Sequence, residues 1–212
     1  MVFSGHPNRM KYYSATLLLL LAGSALADEP AASPAAPRKL EGILSVGYTY
    51  GGDTLPDVKL VGSSVSTLRS GTGILAAGGG IWRPLPALGL QGTFGYHFHA
   101  VTHDGGTAYF TRYPLEITPF VYLGDKARIG AGWRHNFKLK YDGRYNKSPS
   151  IEFDQSNGLV AEIGFQYQPD VWFNLRYVNE TLYARPFDFN GVQHEMGPTK
   201  AAHYGFSFAH TF

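Results

Sequence analysis

The chain has 212 residues, with 18 Lys and Arg against 16 Asp and Glu, and a formal charge of +2 is too small an excess to argue for a nucleic-acid partner. It contains no cysteine, which excludes disulfides, thiolate metal sites, a thiol nucleophile and a cysteine-linked lipid anchor. The 26 Gly, 14 Tyr and 14 Phe against only 16% charged residues favour glycine- and aromatic-rich strands over helices.

In chain order, the first element has the layout of a secretory signal over residues 1–27. Arg9 and Lys11 precede the apolar run Leu17 to Leu21, and Ala25-Leu26-Ala27 offers a small-x-small cleavage site. Its apolar core, Ala15 to Ala27 at most, falls short of the roughly 20 residues a bilayer-spanning helix needs. Residues 28–39, DEPAASPAAPRK, carry three prolines among Ala and Ser and read as an extended periplasmic linker.

From Leu40 onward the chain divides into eight candidate strands at about 40–51, 71–83, 88–100, 108–122, 126–140, 156–167, 171–183 and 201–212. Their connections alternate in length. Residues 84–87, 123–125 and 168–170 are tight turns, whereas 52–70, 101–107, 141–155 and 184–200 are longer and rich in Gly, Asp, Asn, Ser and Pro. Such alternation is what an up-and-down transmembrane barrel requires, with both mature termini on the side of the short turns. A mean hydropathy of -0.16 is compatible with it, because only every second residue of each strand faces lipid.

Period-two parity assigns two faces. On the third strand Leu90, Phe94, Tyr96 and Phe98 turn outward, and Gln91, Thr93, His97 and His99 inward. The sixth places Leu159, Ala161, Ile163, Phe165 and Tyr167 outside with Glu162 and Gln166 inside, and the seventh opposes Phe173, Leu175 and Tyr177 to Asn174, Arg176 and Glu180. The fifth puts Ile129, Ala131, Trp133 and Phe137 outside and Arg128, Arg134, Asn136 and Lys138 inside, with His135 an outward exception tolerable only near an interface. The glycine-rich second strand, TGILAAGGGIW, has no readable face. Tyr48, Tyr50, Trp82, Tyr109, Tyr113, Tyr122, Tyr167, Trp172 and Tyr183 are candidates for interfacial aromatic girdles.

The last strand is the most specific. Tyr204, Phe206, Phe208 and the terminal Phe212 alternate with small and polar residues, and this ending resembles the closing strand of bacterial outer-membrane β-barrels. With the loop pattern, residues 40–212 are similar to the small OmpA/OmpX-type barrels. The resemblance implies an eight-stranded antiparallel barrel in the outer membrane of a Gram-negative cell. It also implies a terminal aromatic signal read by the barrel insertion machinery, lipid and lipopolysaccharide as neighbours, and a monomer. No OmpA-like peptidoglycan-binding domain is expected after the barrel.

The inward charges on strands four to seven are Arg112, Glu116, Arg128, Arg134, Lys138, Glu162, Arg176 and Glu180. An eight-stranded lumen is only just wide enough for side chains, so buried charges there must pair. A turn at 168–170 sets Glu162 opposite Arg176. A turn at 124–126 sets Glu116 opposite Arg134, and a turn at 123–125 makes that contact diagonal. The network reads as a polar plug, with a narrow path opened by exchange of salt-bridge partners as the alternative.

Three other readings are weaker. Gly80-Ile81-Trp82 matches the G-x-W of lipocalins, but a lipocalin keeps a polar exterior and an apolar pocket. Outer-membrane lipid A deacylases carry a His-x-Ser on one strand face, and no His-x-Ser occurs. The palmitoyltransferases begin with an amphipathic helix, where this chain has a proline-rich linker, and His103-Asp104 reads as loop chemistry. No catalytic residue, cofactor or metal site is expected, a His97, His99 and His203 metal set being far less common than hydrogen-bonded lumen histidines. Loop one (Asp53 to Ser70) and the loop residues Arg144, Tyr145, Lys147, Arg185, Phe187, Phe189, His194 and Lys200 are candidates for contact with phosphorylated lipopolysaccharide or a host ligand.

Overall fold

The computed structural model describes residues 40–55, 68–103, 106–144, 150–189 and 191–212. The signal over 1–27, the linker over 28–39, most of loop one, Asp104, Tyr145, Lys147 and the side chains of His103, Arg144 and Phe189 lie outside the described residues.

Eight strands make the barrel: β1 (Leu40–Gly51), β2 (Gly73–Leu85), β3 (Leu88–His103), β4 (Gly106–Leu123), β5 (Ala127–Arg144), β6 (Ser156–Gln168), β7 (Val171–Leu182) and β8 (His203–Thr211). Each pairs antiparallel with its neighbours in sequence. β8 closes onto β1, from Ile43 opposite Thr211 to Gly51 opposite His203. The barrel sheet therefore has no free edge strand to bind another chain. Four short segments, Ser150–Glu152, Phe187–Phe189, Val192–His194 and Thr199–Lys200, build up the end that carries the long connections.

Two hairpins are tighter than the sequence suggests: Gln168 pairs with Val171 across 169–170 where a turn at 168–170 is expected. Pro86 and Ala87 alone join Leu85 to its partner Leu88. The β4–β5 turn is 124–126 rather than 123–125, because Leu123 pairs with Ala127. Gly124 at φ 66 supplies the left-handed residue that this turn needs.

The wall is two-faced throughout. Leu44, Tyr50, Phe94, Ile129, Leu159 and Phe208 are among many large apolar residues left exposed around it, an apolar surface too continuous for a water-soluble monomer. Polar and charged residues fill the inside, and Trp82 of the G-x-W tripeptide points outward. This polarity is the reverse of a soluble lipocalin calyx.

The lumen is layered. At the short-turn end Ile43, Ile81, Phe120, Tyr122, Trp172 and Ala209 form an apolar cluster. Beneath the long connections a second cluster gathers Leu55, Leu68, Phe110, Leu139, Tyr141 and Ile151 with Phe153 and Leu182. The ionic residues lie between the two. Tyr122 and Trp172 are corrections to the girdle assignment, being 7% and 2% exposed and packed edge to face at 5.9 Å. Their even numbers share parity with Glu116 and Arg176, so they must point inward. Tyr48, Tyr50, Trp82, Tyr167 and Tyr183 are exposed on the outer wall.

We expect Trp172→Ala to destabilise the barrel by about 3–5 kcal/mol, the range for emptying a large aromatic from a packed core. Trp82→Ala on the outer wall should cost far less. Urea titration of refolded protein in micelles, followed by the gel shift of the folded form, measures both.

Candidate functional site in the barrel lumen

Neighbouring strands fix the first contacts. Register sets Glu116 directly opposite Arg134 and Glu162 directly opposite Arg176, and both pairs meet inside the barrel. Arg134 donates from Nε to Glu116 Oε1 at 2.6 Å, while Arg176 Nε lies 4.0 Å from Glu162 Oε2.

Closure of the barrel then adds contacts across the lumen. Arg176 Nη2 donates to both oxygens of Glu116, at 2.8 and 2.6 Å, so one carboxylate is held between two guanidinium groups. Arg112 donates from Nη1 to Glu180 Oε1. The other oxygen of Glu180 accepts from Asn136 Nδ2 at 2.5 Å, and Arg134 Nη1 lies 3.7 Å from Oε1. Arg128 is held differently. Its Nη2 donates to Asn174 Oδ1 at 3.1 Å and lies 3.5 Å from Glu162. Its guanidinium rests over the rings of Phe120 and Trp172, at 4.3 and 4.8 Å from their centroids.

Four arginines therefore face three carboxylates in this layer, all nine-tenths or more buried. Charges removed from water to this extent persist only when paired and hydrogen-bonded. Narrowness is the second requirement. Gly164 sits opposite Arg128, and a Cβ there would lie 2.9 Å from the Arg128 Nε. The glycine makes room for the arginine in a lumen with little space to spare.

Lys138 is not part of the network. β5 bulges there: Lys138 and Leu139 together face Arg112, between the pairs Tyr113–Phe137 and Thr111–Lys140. Lys138 takes φ 46 and its side chain is exposed, while Leu139 and Tyr141 become the inward residues. An extra residue in one strand reverses the parity beyond it, so counting alternate residues from Arg128 fails at this point.

The structure adds members that the charge pattern missed. His203 lies 3.4 Å from Arg134 Nη1 through its Nε2, with Nδ1 2.6 Å from the Ala201 carbonyl. His97 meets Thr49 Oγ1 at 2.8 Å. At the short-turn mouth Arg83 pairs with Glu41 at 3.3 Å and covers the Tyr122 ring at 4.3 Å. Glu41 and Arg83 share odd parity with the buried Ile43 and Ile81, but the glycines of β2 hide that face in the sequence. The three histidines do not assemble into a ligand set: His97 and His203 have ring centroids 6.2 Å apart, but His99 turns to the Arg69 carbonyl at 3.4 Å. Among the described residues no group of three or more His, Asp or Glu is placed to hold a metal.

At the long-connection end the candidate loop residues engage one another. Arg185 donates to Asp154 at 2.8 Å and lies 3.6 Å from Glu152, and the hydrogen bond to Asp154 raises its already high pKa. Phe187 stacks on His194 with centroids 5.7 Å apart. The terminal aromatics Tyr204, Phe206, Phe208 and Phe212 are all exposed on the outer wall.

Unequal sharing of the carboxylates predicts unequal mutational effects. Glu116→Ala leaves Arg134 and Arg176 without their main partner and should cost about 3–5 kcal/mol, as for breaking a buried pair. Glu162→Ala removes only the contacts at 3.5 and 4.0 Å and should cost clearly less. Equilibrium urea unfolding in micelles ranks the two.

No protein-family model matches this sequence, and no curated protein does. Solved structures do match. Ail, the attachment invasion locus protein of Yersinia pestis, is 13% identical over 82% of this chain and 100% of its own, with a TM-score of 0.50. OprG of Pseudomonas aeruginosa (15% identity, 82% and 96% coverage, TM-score 0.47) and Neisserial surface protein A (8%, 82% and 98%, 0.47) are also similar. The chain is an all-β, closed, eight-stranded antiparallel barrel with the fold of the small outer-membrane barrels.

Proposed function

We propose that this chain is an integral barrel of the bacterial outer membrane with a structural or surface-interaction role, a sealed lumen and no catalytic activity. The observation that carries this reading is the layering of the lumen: a paired ionic network between two apolar clusters, inside a wall whose outer face is apolar. An ion crossing it must shed water at each apolar layer and break charge pairs between them. In this reading the short hairpins and the start of β1 face the periplasm and the long connections face outward. Tyr204, Phe206, Phe208 and Phe212 form the signal that the insertion machinery reads, and the barrel works as a monomer among lipids and lipopolysaccharide.

One observation favours a second reading, a small pore. Each carboxylate of the ionic layer lies within reach of two guanidinium groups: Glu116 of Arg134 and Arg176, Glu162 of Arg128 and Arg176, Glu180 of Arg112 and Arg134. Partners can therefore exchange without leaving a carboxylate bare. With four arginines to three carboxylates, a path opened this way should prefer anions.

Planar-bilayer recording separates the two. The sealed reading expects no conductance steps above background for the wild type. Anion-selective steps, altered by Glu162→Ala, would establish the pore. The membrane assignment itself expects a band that migrates differently before and after boiling. Phe212→Ala should lower the amount of folded barrel in outer-membrane fractions without changing synthesis. Lipid A from cells with and without the protein should have identical acyl chains by mass spectrometry; a gained or lost chain would make the protein an enzyme.

A further inference from the structure

A polar pocket opens in the outer wall where an apolar surface is expected. The ladder between β6 and β7 holds as far as Gly158 opposite Glu180. It resumes only at Phe153 opposite Ala184, so four residues on one side span three on the other. A cleft of about 370 Å³ occupies this break, lined by Gln155, Asn157, Asn179, Thr181 and Tyr183 over the inward-turned Glu180. That volume lies within the range of about 300–1,000 Å³ typical of small-ligand clefts.

Its neighbours set its depth. His135, the outward polar exception on β5, is opposite Asn157, with Nδ1 2.9 Å from Asn157 Oδ1 and Nε2 3.3 Å from Gln155 Oε1. Toward the middle of the barrel Trp133 stacks on His135 at 5.5 Å, and Leu159 lies beside it, opposite Trp133. Toward the long connections Phe137 packs edge to face on His135 at 4.4 Å and is paired with Tyr113. Aromatic rings thus flank the polar patch both above and below, which is the level of an interfacial girdle rather than of bulk water.

Its chemistry sets the ligand. Above the Glu180 carboxylate, which Arg112 and Asn136 already engage, the lining side chains are amides, hydroxyls and one phenol, with no lysine or arginine among them. No cation lines the cleft, so a phosphate on the headgroup must stay outside it in water, and an acyl chain in the cleft would strand polar groups in hydrocarbon. Asn179 and Thr181 spend no side-chain hydrogen bond on another described residue. Neutral donors and acceptors beside aromatic faces suit a ring of hydroxyl groups. We infer that the cleft between β6 and β7 binds the saccharide headgroup of a glycolipid, whose acyl chains run down the apolar wall past Leu159.

The inference rests on the membrane reading above, and the test keeps the two apart. Full-length protein refolded in micelles is offered an equimolar mixture of lipid A, phosphatidylglycerol and phosphatidylethanolamine, and bound lipid is read by native mass spectrometry. The expected result is preferential retention of lipid A, reduced about tenfold in Asn157→Leu/Asn179→Leu, as expected for losing two ordinary hydrogen bonds. Phe165→Leu, near the short turns, should leave retention unchanged. The boiled and unboiled gel bands check that each variant folds, and Asn157→Ser/Asn179→Ser replaces the leucine pair if it does not. Retention unaffected by either pair, or phosphatidylglycerol held as firmly as lipid A, would overturn the saccharide site while leaving the barrel reading intact. A wild type that never forms a heat-sensitive folded band would overturn both.

Discussion

Joining β8 to β1 imposes the constraint from which the rest of this molecule follows. A closed antiparallel ladder pairs backbone groups around the whole circumference, which is what a strand wall needs where no water is available. It also forces successive side chains to alternate between a wide exterior and a narrow interior. A residue on the inner face therefore loses most of its contact with solvent whatever its chemistry. The four arginines and three glutamates of the ionic layer each find a partner, as buried charges must.

The interior is consequently neither an oily core nor an open channel. Glu116 is the centre of the ionic layer, accepting from a neighbour on β5 and from a residue reached only across the lumen. Arg128 is the link to the apolar layer, since one side chain meets a carboxylate, an amide and two aromatic faces. Glycines complete the fit. Gly164 beside Arg128 gives up side-chain volume so that a guanidinium can lie along the wall, and Gly205 does so for the Thr49 side chain on β1. Such a core ties stability to geometry, because displacing one member leaves another charge buried and unpaired.

Register shifts between Trp82 and Leu85 and between Gln166 and Gln168 adjoin short hairpins, but the two departures that change the wall lie near the long connections. The bulge at Lys138 and the interruption between β6 and β7 both lie there. The bulge turns a lysine out of the lumen and brings Leu139 in. The interruption opens a polar cleft in a wall that is apolar elsewhere. At the opposite end Tyr122 and Trp172 pack edge to face inside the lumen.

What could be read from the sequence was whatever a strand or a single hairpin decides locally. Period two sets the faces of β3, β6 and β7. A tight turn limits the register around it: Glu116 faces Arg134 for one of the two turns the sequence allows, and Glu162 faces Arg176 because a shift between Gln166 and Gln168 offsets a turn one residue shorter than expected. The same parity also carried the inward positions of Tyr122 and Trp172, although their aromatic character suggested an interface, whereas the glycines of β2 hid the inward position of Arg83. Only the tertiary structure decided the rest. Arg112 with Glu180 and Arg176 with Glu116 are 68 and 60 residues apart, and no local rule relates them until the barrel closes. The reversal at Lys138 depends on how two strands of unequal local length accommodate each other, a property of the pair and not of either segment.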